Sequence, residues 1–264
     1  MKDTLNKKQK KLVQLIKHRK WNTLDGTLLE DLDLTQAPYK FRCCSSCKAS
    51  HGLLNGVLMY QPPVKIVRKI VENLPALAYD INCIDHFPFH TALSHGCNIN
   101  VVNYLIGRNN RAVQLIDREG KNQLHLAIDG YEKLYLTSNY ELSSINDNVF
   151  QVLNTLYNIE PSNVMKTDSN DMDVIEYALE KEIDYDIIIK LQKLTADYVQ
   201  RQTERKNNGD SKNDRNKSSE KSNIDLKNIN FHQVSDRTSS NFFLDQNVSS
   251  NKRSNLKTCF NVSA

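Results

Sequence analysis

Hydrophobic positions recur along the chain with a period of about 35 residues. A shift of 35 places apolar residues on apolar residues: Val67 on Val102, Ile70 on Leu105, Val71 on Ile106, Ile81 on Ile116, Phe89 on Leu124 and Ala92 on Ala127. A further shift of 51 places Val113 on Val164, Leu124 on Ile175 and Ala127 on Ala178. One frame therefore continues through four copies, which predicts a chain of repeated structural units.

Each unit contains two apolar segments of helical length. In the second segment, as in VVNYLI at 101–106, apolar residues occupy positions i, i+1, i+4 and i+5, which is one face of a helix. Helix start and stop residues recur in the same frame. They are Asn122 and Asp173 before the first helix, Pro63, Asn98 and Asp184 before the second, and Pro75 and Pro161 after it. Asp173 and Glu176 also have the spacing of a capping box. A unit this short must stack on its neighbours to bury its apolar face.

The larger second shift implies an insertion in the third unit. The sequence places it at 131–147, between the two helices of that unit, with Tyr131, Tyr135 and Tyr140 inside it. Two interpretations remain open: a tolerated change in the length of a loop, or a partner contact made by the tyrosines.

Two histidines occupy one repeated pattern. FPFHTAL at 87–93 contains His90 and NQLHLAI at 122–128 contains His125. A whole apolar frame repeats with them, and a pair of catalytic histidines would not require such a frame. The pattern therefore favours a structural role for both.

The third unit has the most specific motif. Residues 117–127 read DREGKNQLHLA, which resembles the ankyrin-repeat pattern D-x-x-G-x-T-P-L-H-x-A. The second unit keeps Pro88, His90 and Ala92 without the glycine, and the fourth has Glu176 in place of the histidine. The resemblance covers roughly residues 45–200. It implies an all-α ankyrin-repeat solenoid of about four helix-turn-helix repeats, in which each such histidine hydrogen-bonds nearby backbone.

Composition divides the chain into four segments. We expect a basic N-terminal arm at 1–12, a helical N-terminal cap at 13–44 with Trp21 against the first repeat, and ankyrin repeats at 45–205. Residues 206–264 are rich in Ser, Asn and Lys, and too few of them are apolar to offset chain entropy, so we expect a disordered tail.

The ankyrin resemblance implies a non-catalytic module that binds a protein partner. In this family the turn tips and first helices line a concave face, and exposed positions there set specificity. The corresponding residues here are Met59, Tyr60, Ile84, His86, Ser94, His95, Arg118, Glu119, Lys121, Asp129, Asn170 and Met172.

Sequence motifs for catalysis are absent: no phosphate-binding glycine loop, nucleophile elbow, H-E-x-x-H or kinase motif set occurs. We expect neither enzymatic activity nor a cofactor. One metal hypothesis stays open. Cys44, Cys47 and His51 precede Cys83 and His86 by about one repeat, so stacked turns could form a four-ligand zinc site. Free thiols at turn tips are the alternative.

A net charge of +4 does not by itself point to nucleic acid. The basic termini nevertheless support an alternative function, an adaptor for nucleic acid or chromatin. We expect no membrane segment, a monomer, and a location in the cytoplasm, with the nucleus as the alternative.

Overall fold

The computed structural model describes residues 2–30, 52–82, 85–137 and 141–210. Every regular element within these residues is helical and no strand occurs among them, so the all-α fold class is confirmed for this part of the chain. Residues Met1–Gln202 form one compact unit and Thr203–Ala264 a second. Of the second unit only 203–210 are described, and they continue the last helix. The tail expected at 206–264 lies, from residue 211 onward, outside the described residues.

The described residues form ten α-helices. They are α1 (Lys2–Lys17), α2 (Trp21–Glu30), α3 (Leu53–Leu58), α4 (Val64–Asn73), α5 (Pro88–Ser94), α6 (Ile99–Arg108), α7 (Gln123–Thr137), α8 (Leu142–Ile159), α9 (Val174–Glu180) and α10 (Tyr185–Asp210). Three short 3₁₀ turns follow α4, α6 and α8, at Pro75–Tyr79, Asn110–Gln114 and Pro161–Met165.

The helices begin at the spacing of the hydrophobic repeat. The first helices α3, α5, α7 and α9 begin at Leu53, Pro88, Gln123 and Val174. The first two intervals between these starts equal the sequence shift of 35 residues, and the third equals the shift of 51. The three 3₁₀ turns are likewise separated by 35 residues and then by 51. The predicted caps are also confirmed: Asp173 accepts from the amide of Glu176 at 2.9 Å, and the Glu176 carboxylate accepts from the amide of Asp173 at 3.0 Å.

Left-handed backbone recurs in the same frame. Between the two helices of a unit, Gln61, Gly96 and Glu182 have positive φ, and in the turn before a first helix, Asp85, Gly120 and Asp171 do. The chain therefore reverses in the same way between the helices of the first, second and fourth units, and again in the turns before α5, α7 and α9. Side chains disfavour this conformation, so repeating it at fixed intervals indicates that each turn is imposed by the packing of the unit.

The first helices pack in chain order, α3 on α5, α5 on α7 and α7 on α9, and the second helices α4, α6 and α8 do the same. Leu54, Phe89, Leu124 and Val174, one from each first helix, are at most 1% exposed. Burying one such side chain stabilises the fold by about 1.5–3 kcal/mol. The core is consequently continuous from unit to unit.

The expectation that the added residues form a loop between helices is wrong. α7 ends at Thr137, eight residues later than the frame of α5 and α9 requires, and α8 begins at Leu142, eight residues earlier than the frame of α6 requires. The connection from Thr137 to Leu142 contains four residues, as does the one from Ser94 to Ile99. The insertion thus lengthens both helices equally. We call these added turns, residues 130–137 and 142–149, the extended hairpin.

The extended hairpin packs on the connection between α5 and α6. Tyr131 is 2% exposed and stacks on Tyr135, with ring centroids 6.3 Å apart. Asn148 accepts from the amide of Ile99 at 2.9 Å. Tyr131 is therefore a core residue and not a partner contact, because its apolar ring fills the space between the lengthened helices. Tyr140 lies outside the described residues.

The N-terminal helices pack against the second-helix side of the first unit. α1 runs through residue 12, where the arm and cap were divided, and α2 contacts α4. Asp25 of α2 binds Lys65 and Lys69 of α4, each at 2.5 Å, and Trp21 is half-buried against the core. None of the described helices is both long enough and apolar enough to cross a membrane.

Candidate functional site: a groove between fingers and first helices

Three equivalent turns precede α5, α7 and α9. We call the turns 82–86, 117–121 and 168–172 fingers 1, 2 and 3. In each, the amide of the first residue donates to the carbonyl of the fifth, at 2.9, 3.1 and 2.9 Å. In fingers 2 and 3, an oxygen of the leading aspartate also accepts from two amides of its own turn. Asp117 and Asp168 therefore hold their turns closed.

The fingers are joined to one another. The imidazole Nε2 of His86 donates to Asp117 Oδ2 across 3.0 Å, and both side chains are almost fully buried. The exposed Arg118 guanidinium binds Asp85, and the amide of Ser169 donates to the carbonyl of Glu119 at 2.9 Å. Burial opposes the charge of Asp117, yet the bonds from His86 and from two finger amides lower the pKa of its carboxyl.

A groove of about 280 Å³ lies between these fingers and the first helices. It spans α3, α5 and α7 on its helical side and fingers 1 and 2 on the other. The residues that line it are Asn55, Met59, Asn82, His86, Thr91, Ser94, His95, Asp117, Arg118, Glu119, Lys121, Leu126, Asp129 and Lys133.

The groove brings together eight of the twelve residues predicted as partner-binding. They are Met59, His86, Ser94, His95, Arg118, Glu119, Lys121 and Asp129. The other four do not line it as described. Tyr60 packs half-buried against the core, Asn170 is exposed on finger 3, and Met172 is half-buried, with its carbonyl bonded to His125. Ile84 lies outside the described residues.

Two of these eight residues differ from the exposed contacts that the family pattern implies. His86 is 4% exposed because it is bonded to Asp117, and Ser94 is 5% exposed. The Ser94 hydroxyl is shared between the carbonyl of Thr91 and the ring of His95. Both residues shape the wall of the groove and present little surface to a partner.

Polar side chains from three elements meet on the floor of the groove. The Thr91 hydroxyl donates to Asn55 Oδ1 at 2.8 Å and accepts from Asn82 Nδ2 at 3.4 Å. The Asn55 amide group donates to the carbonyl of Asp80. These bonds fix the floor before any partner arrives, which reduces the conformational entropy that binding costs.

A charged cluster lies at the α7 end of the groove. Lys121 contacts Glu119 at 2.9 Å and Asp129 at 3.3 Å, and Asp129 accepts from the Tyr177 hydroxyl of α9 at 2.5 Å. Burial opposes the charge on Lys121, but Tyr177, Glu119 and Asp129 together raise the pKa of its ammonium well above the ordinary value. Lys121 is consequently charged near neutral pH.

His95 provides a neutral acceptor in the groove. Its Nδ1 faces the carbonyl of Thr91 at 3.0 Å, and a carbonyl can only accept, so Nδ1 carries the proton. Burial and the nearby charge of Lys133 lower the pKa of His95 to about 3. The ring is therefore neutral near pH 7 and its Nε2 keeps a lone pair that can accept a hydrogen bond.

His90 and His125 bond to backbone, as expected. His90 Nε2 donates to the carbonyl of Ala112 at 2.9 Å, and His90 Nδ1 accepts from the amide of Phe87 at 3.3 Å. His125 Nε2 donates to the carbonyl of Met172 at 3.1 Å. Because the Phe87 side chain has no acceptor atom, the His90 ring supplies the cap that α5 would otherwise lack.

Sequence reasoning missed six residues of the groove: Asn55, Asn82, Thr91, Asp117, Leu126 and Lys133. The sequence marks four of them by their place in the repeat. Asn82 and Asp117 share one repeat position, and Thr91 and Leu126 share another. The repeat does not mark Lys133, because this residue belongs to the extended hairpin, which has no equivalent in the other units.

The zinc hypothesis rests mostly on residues beyond the described ranges. Cys44, Cys47, His51 and Cys83 are outside them, and His86 is engaged with Asp117. Among the residues the structure does describe, no group of three or more His, Cys, Asp or Glu side chains is arranged to hold a metal ion. In comparisons with known proteins, no family model matches the chain, and neither does any curated protein.

Proposed function

We propose that this chain is an ankyrin-type repeat protein whose function is to bind a segment of a partner protein, without catalysis, in the groove between its fingers and first helices. The single observation that carries the proposal is the groove itself: residues selected by the family pattern from three successive repeats converge on one cavity of about 280 Å³.

Three recurring features support the ankyrin assignment. The first helices begin at the intervals of the hydrophobic repeat, left-handed turns recur in the same frame, and two first-helix histidines bond the backbone of a neighbouring segment. Each feature follows from the residues of this chain. Together they indicate that the repeat is a structural unit and not a chance similarity of short motifs.

The chemistry of the groove favours a polypeptide over a small metabolite. Its lining combines amide, hydroxyl, carboxylate, ammonium and imidazole groups with the half-buried apolar side chain of Met59, while Leu126, also in the lining, is only 1% exposed. An extended peptide presents alternating N–H and C=O groups, which the His95 lone pair and the exposed charges of Arg118 and Glu119 can satisfy. Specificity then comes from the partner's side chain at Met59.

The proposal is tested by retention of partners from native lysate on the full-length chain. The bait is compared with a variant carrying Met59→Ala and His95→Ala. We expect a retained protein whose binding falls at least about thirty-fold in the variant, because each of the two anchor truncations costs about 1–2 kcal/mol.

The matched control is Leu142→Ala, which removes an exposed apolar side chain from the extended hairpin, away from the groove. Melting curves of all three proteins check that the fold is intact. Equal retention by the groove variant and the control would show that the groove is not the binding site.

A further inference from the structure

A second surface lies on the outer side of the same repeats, where the 3₁₀ turns lead into the fingers. Four large side chains there are more than half exposed: Tyr79, Ile81, Ile116 and Met165. Ile81 and Ile116 occupy one position of the repeat, and Tyr79 and Met165 occupy another. We call these four residues the outer row.

Two members of the outer row, Tyr79 and Ile81, lie on the same side of one segment. Asp80, between Tyr79 and Ile81, is extended, with φ −64° and ψ 134°. Leu115, which holds the equivalent position before Ile116, is extended as well, with φ −91° and ψ 146°. Successive side chains of an extended segment point to opposite sides, so Tyr79 and Ile81 share a side, and Asp80 takes the other. Together the four side chains expose on the order of 400 Å².

The row adjoins a pair of arginines held in fixed positions. The Tyr79 hydroxyl donates to the carbonyl of Arg108 at 3.0 Å, which places the ring at the end of α6. The Arg108 guanidinium lies 5.1 Å from the centre of the Tyr104 ring, and that of Arg68 lies 5.6 Å from the same ring. Stacking on one ring orients both guanidinium groups without neutralising them.

These arginines differ from the other well-placed cations of the fold. Lys65, Lys69, Lys121, Lys181 and Arg201 all form ion pairs with carboxylates. Arg68 and Arg108 form none with the residues that the structure describes, and Arg111, exposed in the turn after α6, forms none either. Aliphatic surface beside uncompensated guanidinium groups is complementary to aliphatic side chains beside carboxylates.

We propose that the outer row and the Arg68–Arg108 pair form a second docking surface, whose occupant is an acidic amphipathic segment of a partner protein. The partner's carboxylates bind the two guanidinium groups and its aliphatic side chains cover Ile81, Ile116 and Tyr79. The surface shares no residue with the groove. Because the apolar area is small, we expect a dissociation constant on the order of 100 µM for one such segment.

The test uses the full-length chain and a fluorescein-labelled 16-residue peptide of alternating Glu-Glu and Leu-Leu pairs, followed by fluorescence anisotropy. Arg108→Gln and Ile116→Ser should each weaken binding at least five-fold, and binding should weaken as salt is raised. The control Arg201→Gln removes an arginine that also lies over a tyrosine, Tyr157, but on α10. Leu142→Ser is the control for lost apolar surface. Both controls should bind as the unaltered chain does.

Further probes distinguish other occupants. A peptide with Lys in place of each Glu should not bind. Vesicles of phosphatidylcholine and phosphatidylserine should retain no more of the unaltered chain than of Arg108→Gln. No peptide binding up to about 1 mM, or equal losses in Arg108→Gln and Arg201→Gln, would overturn the proposal. So would vesicle retention that Arg108→Gln abolishes while the acidic peptide fails to bind, because the surface would then serve a membrane.

Discussion

His90 shows how one imidazole supports the junction between two repeats. It caps α5 through Phe87 and reaches the carbonyl of Ala112, in the segment after α6. Burial, together with the nearby imidazole of His86, lowers the pKa of His90 to about 4. The bond to Ala112 and the charge of Asp117 oppose the shift without cancelling it. His90 is consequently neutral in the folded protein near pH 7.

The low pKa of His90 predicts a loss of stability in mild acid. The unfolded chain takes up the proton near pH 6.5, and the folded chain does so only near pH 4, so the unfolded state binds more protons between these values. The histidine contribution is therefore intact above pH 6.5 and falls as pH decreases toward 4. From His90 alone we expect the free energy of unfolding to drop by about 2 kcal/mol between pH 7 and pH 5, and the low pKa of His95 adds a loss of the same sign.

Urea unfolding of the chain and of His90→Gln at both pH values measures this effect. Glutamine keeps a donor and an acceptor but has no proton to take up. The variant should be less stable at pH 7 and lose less on acidification. Parallel losses in both proteins would show that another group is responsible.

At the scale of elements, the extended hairpin depends on a close helix approach. A Cβ on Gly130 would collide with the carbonyl oxygen of Leu93 and with the backbone of Gly96. Gly96 has φ +65°, so the turn it makes also requires glycine. The first added residue of α7 thus lies against the turn of the preceding unit, and the added helical turns cover that turn.

Gly130→Ala should therefore destabilise the protein by about 3 kcal/mol despite the higher helix propensity of alanine. Gly107→Ala is the matched control, since Gly107 is also helical but a Cβ there meets nothing within 4 Å. The control should keep or raise stability by up to about 1 kcal/mol. Thermal unfolding of both variants tests the prediction, and a shift of the same sign in both would contradict it.

Sequence reasoning predicted the repeating elements because burial imposes the period directly. It placed the helix starts, the caps of Asn98 and Asp173, and the histidine bonds. It failed at the extended hairpin because the sequence from Tyr131 to Asp147 mixes polar and apolar residues, and the contacts that make it helical lie in another repeat. It also treated His86 and Ser94 as exposed, because their bonding partners come from tertiary structure.

At the scale of the whole described fold, each repeat is linked to the next through its fingers as well as its core. Asp117 closes finger 2 and receives a bond from His86 of finger 1. Asp168 closes finger 3 in the same way, but its Oδ2 is buried and without a hydrogen-bond partner. The two equivalent aspartates therefore make unequal contributions to the connection between units.

Asp117→Asn should cost about 2 kcal/mol at pH 7, because it removes the charge from a buried bond to His86 while keeping the oxygen that closes the turn. Asp168→Asn should cost at most about 0.5 kcal/mol, or stabilise, because it relieves a buried carboxylate oxygen that has no donor. Urea unfolding of both variants makes the comparison. Equal costs would mean that closing the turn, and not the link between fingers, is what these residues contribute.

The symmetry of the extended hairpin has an evolutionary consequence. Eight residues were added to each of two antiparallel helices, about 12 Å apiece, and the four-residue connection kept its length. An unequal addition would leave one helix projecting past the other with an uncovered apolar face. Natural length variation at this place should accordingly come in balanced pairs. A designer could graft a new surface onto the molecule by the same rule, lengthening both helices by equal amounts without disturbing the repeats on either side.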